Sequence, residues 1–137
     1  MFEHVVTAPK KGERECSLED LGRMALVTGA NVFVIGEVKG SEIVSAITLA
    51  NSGSRTAMTI HSPSAEGTVD KMADLAMRGG SQSYTQAKRM LKAFQTIVYV
   101  KDFRIEEILE IEGFDEDKKD MTYKTIFKRS LNYAYTV

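Results

Sequence analysis

Val32-Phe33-Val34-Ile35, with Asn31 before it and Gly36-Glu37 after it, is the stretch on which the fold turns. Four consecutive apolar residues rich in β-branching, bounded by Asn and Gly, read as a strand buried on both faces, and strands of that kind belong to parallel sheets. Downstream, Ile43, Ala46, Ile47 and Ala50 fall at i, i+3, i+4 and i+7. The chain from Ser41 to Asn51-Ser52-Gly53 therefore reads as an amphipathic helix with a defined end. Thr56 to Ile60 supplies the next β-like run.

Outward from this unit the pattern continues in both directions. Upstream, Ser17 and Asp20 approximate a capping box, and Leu18, Leu21 and Ala25 recur on one helical face until Gly29. Before that helix, His4 to Thr7 reads as a short strand and Pro9 to Glu15 as an exposed loop. Downstream, Ser62-Pro63 reads as an N-cap with proline at the first helical position, and Val69, Met72, Ala73 and Ala76 carry the helix to Gly79-Gly80. A fourth helix sets Tyr84, Ala87, Leu91 and Phe94 on one side and Lys88 and Lys92, with Arg89, on a solvated face. The methionines of this region read as core filler. Thr96 to Val100, Arg104 to Ile111 and Met121 to Lys128 form an antiparallel meander, with Asp115 to Asp120 as a solvated hairpin loop. The order βαβαβαα followed by three strands predicts an α/β fold, a parallel sheet extended at one end by antiparallel strands. No linker divides residues 1–137, which read as one domain.

Composition limits the function. Hydrophobic residues at 43% and charged residues at 27% are enough to build a core, and they exclude disordered and collagen-like chains. Eighteen Lys and Arg against nineteen Asp and Glu leave a net charge of -1, so nucleic acid is not expected as a direct partner. Cys16 stands alone, which rules out a disulfide framework and points to the reducing cytosol. The apolar runs are too short for a transmembrane segment, and the N-terminus has no signal-peptide pattern. With His4 as the only other histidine, His61 does not belong to a zinc site. No G-x-S-x-G elbow supports serine-nucleophile chemistry.

In an open parallel sheet the ligand edge lies at the carboxyl ends of the strands, facing helix N-termini. Glu37 follows the strand 32–35 by one glycine, and His61 follows Thr56 to Ile60 directly, so both fall on that edge, on strand ends that a short crossover brings close together. A carboxylate just beyond a buried apolar strand is the Walker B arrangement, in which a rigid strand holds an acid beside a nucleotide's Mg²⁺ and the attacking water. Taken alone, Glu37 reads first as an exposed loop acid, and His61 as a helix-capping or backbone-bonding histidine.

Read together, VIGEVKGSE (Val34 to Glu42), the helix into ANSG (Ala50 to Gly53) and TIHS (Thr59 to Ser62) resemble the type II/type IV secretion ATPases, the hexameric RecA-like motors of secretion, pilus assembly and conjugation. The Flp/Tad-pilus and conjugation branch is the most similar. That family carries apolar residues followed by G-E-x-R-[GD]-x-E and, about two dozen residues later, a T-[IL]-H histidine box; here Glu37 and His61 are twenty-four positions apart. The HVV run at His4 to Val6, the helix 18–26 and the IVYVKDF strand at Ile97 to Phe103 have counterparts as well.

The resemblance implies a RecA-like P-loop NTPase core with ATP and Mg²⁺ as cofactors. Glu37 would orient or activate the attacking water and meet Mg²⁺ through water, and His61 would sense the γ-phosphate. Gly36, Lys39 and Thr59 would border the nucleotide. It further implies a homo-hexameric ring, cytoplasmic and peripheral to the inner membrane, working with inner-membrane secretion or pilus proteins. Lys39 stands where the family has Arg, Ser52 and Ser54 replace a Thr and a His, and Val27, Ala30 and Asn31 replace an Arg-Pro-Asp pattern. No Gly in the chain is followed by Lys, so no G-x-x-x-x-G-K-[ST] phosphate loop (Walker A) is present. The expectation is that residues 1–137 are the C-terminal portion of the ATPase domain, unable to turn over ATP alone. The rival reading is a non-enzymatic RecA-derived assembly or interaction module, and a third is a small phosphate-binding regulator.

Overall fold

A computed structural model of the chain describes Gly12, residues 16–80 and residues 83–129. The expected strand His4 to Thr7 and the loop cations Lys10, Lys11 and Arg14 lie outside the described residues. Helix α1 (Leu18–Val27) starts as its sequence predicts: the Ser17 hydroxyl accepts from the Asp20 N–H at 3.1 Å, and the Asp20 carboxylate accepts from the Ser17 N–H at 3.1 Å. Strand β1 (Val32–Ile35), helix α2 (Ile43–Asn51) and strand β2 (Arg55–Met58) follow, with β1 and β2 paired in parallel from Val32↔Arg55 to Ile35↔Met58.

Helix α3 (Ala65–Gly79) begins two residues later than the Ser62-Pro63 reading. Its N-cap is Ser64, whose hydroxyl accepts from the Gly67 N–H at 3.0 Å. Both serines are competent caps, but only Ser64 has a donor three residues on at bonding distance; Pro63 lies ahead of the cap. Helix α4 (Tyr84–Met90) tightens into a 3₁₀ turn, Leu91–Ala93, and leads into β3 (Thr96–Lys101), β4 (Arg104–Asp115) and β5 (Asp120–Lys128). Asp102 and Phe103, both with positive φ, form the two-residue turn between β3 and β4.

The fold is mixed α/β, as expected; among the described residues the strands form two sheets and not one extended sheet. A two-stranded parallel sheet β1-β2 and a three-stranded antiparallel sheet β3-β4-β5 are not joined by a ladder among the described residues. The core lies between them and the helices, around Ile43, Ile47, Val69, Leu75, Leu91 and Leu109.

The expectation that β1 is buried on both faces is also corrected. Phe33 and Ile35 are partly covered, whereas Val32 is 58% and Val34 77% exposed. A run of four apolar residues shows that both strand faces are apolar, and a covering layer must come from elsewhere; among the described residues, none lies over Val32 and Val34. Of the helical methionines read as filler, Met72 is buried and Met90 packs against the core, but Met77 is 40% exposed.

The end of α3 closes on the turn before α2. A methyl group at Gly79 would stand 2.7 Å from the Ser41 Cβ and 3.1 Å from the Ser41 carbonyl oxygen. Gly79→Ala is therefore expected to lower stability by about 1–3 kcal/mol despite alanine's better helix propensity, because backbone must move to admit it. A urea midpoint at or above wild type would show that the turn gives way freely.

Candidate functional site

The site is built by alternation. Beyond β1 the chain stays extended: Val38 turns inward and is 2% exposed, and its N–H donates to the Thr59 carbonyl at 2.9 Å. Its neighbours Glu37 and Lys39 consequently face solvent. The Thr59 hydroxyl donates to the Gly36 carbonyl, a second tie between the two strand ends. These bonds bring Glu37 and His61 together, with His61 Nε2 3.1 Å from Glu37 Oε1. Lys39 Nζ lies 2.9 Å from the other carboxylate oxygen, Oε2. The Glu37 side chain is 34% exposed and His61 96% exposed, so the pair sits on an open rim where a ligand could approach from solvent.

The other residues singled out from sequence have definite places. Gly36 has open space where a Cβ would stand. Thr59 uses its hydroxyl proton on backbone, so it positions the loop and has only lone pairs left to offer. Lys39 contributes a point charge against Glu37.

Sequence reasoning passed over Glu42, which organises the loop. Its Oε1 accepts from the Lys39 N–H at 2.6 Å and the Gly40 N–H at 2.9 Å. Burial pushes its carboxyl upward, but the backbone N–H groups of Lys39, Glu42 itself and Gly40 prevail and hold it below the ordinary range. The usable signal was the acid three residues after Lys39, ahead of an apolar helix. Glu42→Ala should cost about 1 kcal/mol and speed amide exchange at Lys39 and Gly40. Unchanged exchange there would mean that the loop holds its shape without this carboxylate.

Lys88, read from sequence as part of a solvated face, is instead buried at 6% exposure. Its Nζ lies 2.7 Å from Asp70 Oδ1 and 2.6 Å from Asp120 Oδ1, and 5.1 Å from the centre of the Tyr84 ring. Tyr84 donates its hydroxyl to Asp70 at 2.7 Å. Arg89 pairs with Glu116 at 2.6 Å, so the predicted solvated hairpin at 115–120 is docked on α4 at both ends. Helical periodicity placed Lys88 opposite the apolar stripe, but β5 covers that side and the two carboxylates neutralise the charge it buries.

A cleft of ≈ 480 Å³ runs between β2 and β3, floored by α3 and the 3₁₀ turn, with His61 and Ser62 at one end. No family model matches the chain, and no curated protein matches it.

Proposed function

We propose that Glu37 and His61 form the hydrolytic rim of a nucleotide site in a RecA-like secretion, pilus or conjugation ATPase. The observation carrying this reading is their 3.1 Å contact at the carboxyl ends of adjacent parallel strands, in the order and spacing of a Walker B acid and a histidine box. Phosphoryl transfer needs positioning and charge stabilisation more than a strong base, so a fixed carboxylate is sufficient. Glu37, held between Lys39 and His61, orients the attacking water, and the His61 imidazole links that carboxylate to the terminal phosphate. Lys39 adds positive charge, without the planar fork an arginine would bring.

Bound ATP and Mg²⁺ supply the transferable phosphoryl group and neutralise its charge. One solvent-facing carboxylate suits a Mg²⁺ that keeps most of its waters, and among the described residues no cluster of three His, Cys, Asp or Glu forms a closed cage. Since no Gly precedes a Lys in the chain, the phosphate grip comes from another polypeptide segment. The parent assembly in this reading is a hexameric ring, cytoplasmic and peripheral to the inner membrane. No helix among the described residues is long and apolar enough to cross a membrane.

Sequencing upstream of the Met1 codon tests the proposal. An in-frame phosphate-loop coding sequence supports it, and expression of that longer protein should give ATP hydrolysis that His61→Ala reduces. An in-frame stop codon with no phosphate-binding partner would favour the non-enzymatic assembly module.

A further inference from the structure

His61 carries its imidazole on a loop with few backbone ties. Upstream, Thr59 is fixed to the neighbouring strand end, donating its N–H to Ile35 and accepting from Val38. Downstream, Ser64 caps α3. Between them the backbone of residues 60–63 makes one hydrogen bond among the described residues: the Pro63 carbonyl accepts from the Tyr99 hydroxyl at 2.8 Å. The Ser62 hydroxyl donates to the Ser64 carbonyl and so stays within the loop. Pro63 has no N–H with which to add a second tie.

The reach of Tyr99 to that carbonyl follows from its strand. Alternation along β3 turns Ile97 and Tyr99 inward and leaves Thr96, Val98 and Val100 exposed. The Tyr99 ring packs against the core, and its hydroxyl extends beyond the apolar contact to Pro63, thirty-six positions earlier in the chain. The β3–β4 register slips directly after this residue: Tyr99 pairs with Glu107, but Val100 pairs with Ile105. A bulge of this kind strengthens the local twist and re-aims the side chains beside it. A core-anchored ring thus holds the histidine loop from the side of the antiparallel sheet.

The His61 side chain is 96% exposed, so little packing fixes it, and the place of its ring is set by its backbone. Ile60 packs against the core and anchors the near end of the loop, but an apolar contact has no preferred direction, whereas a hydrogen bond orients the peptide that accepts it. We infer that Tyr99 is a positioning residue for His61, its hydroxyl holding the loop so that the imidazole meets Glu37. The placement of the imidazole stands on this geometry alone; the effect on phosphoryl transfer rests on the nucleotide-site reading.

Tyr99→Phe tests the inference in the full chain, since the phenyl ring keeps the core contact and only the hydroxyl is lost. In isotope-labelled protein at fixed pH, the Glu37 carboxyl-carbon resonance reports the imidazole beside it, and His61→Ala gives its position without one. Tyr99→Phe is expected to move that resonance at least halfway in the same direction and to lower the backbone order parameters of His61 and Ser62 to below about 0.6, while that of Val38 keeps its wild-type value. A Glu37 resonance unmoved by Tyr99→Phe overturns the inference. So does one that His61→Ala itself leaves in place, and so does an equal loss of order at Val38, which shows a loosened sheet and not a freed loop. In a form of the protein that grips ATP, Tyr99→Phe should lower kcat by about two- to tenfold, the worth of one neutral hydrogen bond, with KM for ATP unchanged. Wild-type kcat for Tyr99→Phe beside a loss for His61→Ala overturns the positioning role. Wild-type kcat for both, with the Glu37 resonance displaced, overturns the nucleotide-site reading and leaves the positioning role standing.

Discussion

Gln in place of Glu37, in a form of the protein that grips ATP, is expected to lower the hydrolytic rate constant by ~10²–10⁴, the range associated with a positioned proton acceptor. ATP affinity should change far less. Gln is nearly isosteric and can still bond through its carbonyl, so the loop fixed by Val38, Thr59 and Glu42 keeps its shape. What is lost is the negative charge that, in the proposed role, holds a water for in-line attack, and that lies beside Lys39 and His61. Single-turnover kinetics beside an equilibrium binding measurement separates the two effects. Wild-type hydrolysis by the Glu37→Gln protein would remove Glu37 from the chemistry.

Lys88→Met should lower stability by about 2 kcal/mol. Each charge-assisted hydrogen bond contributes ~1.5–3 kcal/mol when well shielded. Here the Asp70 and Asp120 side chains are each 55% exposed, and solvent screening reduces the total. Methionine fills the space of the stem but leaves two carboxylates facing each other. Adding Asp120→Asn to the Lys88→Met chain should recover part of the loss. A urea midpoint equal to wild type for Lys88→Met would show that the cluster is energetically idle.

The same cluster sets the pH dependence. For Asp70, burial raises the carboxyl, but bonds from Lys88 and Tyr84 lower it further and leave it below the ordinary range; for Asp120, the bond from Lys88 dominates in the same direction. The unfolded chain then binds more protons, so this stability is present above about pH 4 and is lost as pH falls through the depressed native values. At the alkaline end, burial pulls Lys88 down, but Asp120 and Asp70 outweigh it and raise it above its ordinary value. Burial and the bond to Asp70 push Tyr84 up to about 12. Stability from these two is full below about pH 10 and disappears as pH rises through the native values. Lys88→Met should flatten the acid limb and remove the lysine's share of the alkaline one.

Much of the local structure was readable from residue order. The Ser17–Asp20 capping box, the end of α2 at Asn51, the break at Gly79 and the three meander strands follow from short-range chemistry, in which partners lie within a few positions of each other. That Glu37 and His61 lie close together was readable too, since a short crossover keeps strand ends near each other; that β1 and β2 are directly paired, with no strand between them, came from the structure. Positions whose partners are distant in sequence were less legible. Lys88 looked solvated because Asp120, thirty-two residues away, cannot be anticipated from helical periodicity. Glu42 is the exception: its donors Lys39 and Gly40 are only three and two residues away, yet no sequence reading singled it out.

Among the described residues, the sequence by itself determined which segments are helices and strands, and which edge of the parallel pair carries an acid and an imidazole; periodicity, caps and β-branching act over one to four residues and need no knowledge of the rest. Only the tertiary structure decided that the described strands divide into two sheets, that Val32 and Val34 have an exposed face, and that Lys88 is buried as the cation of a four-residue cluster. Those outcomes depend on which surfaces meet across long chain separations, where burial and desolvation outweigh local preference.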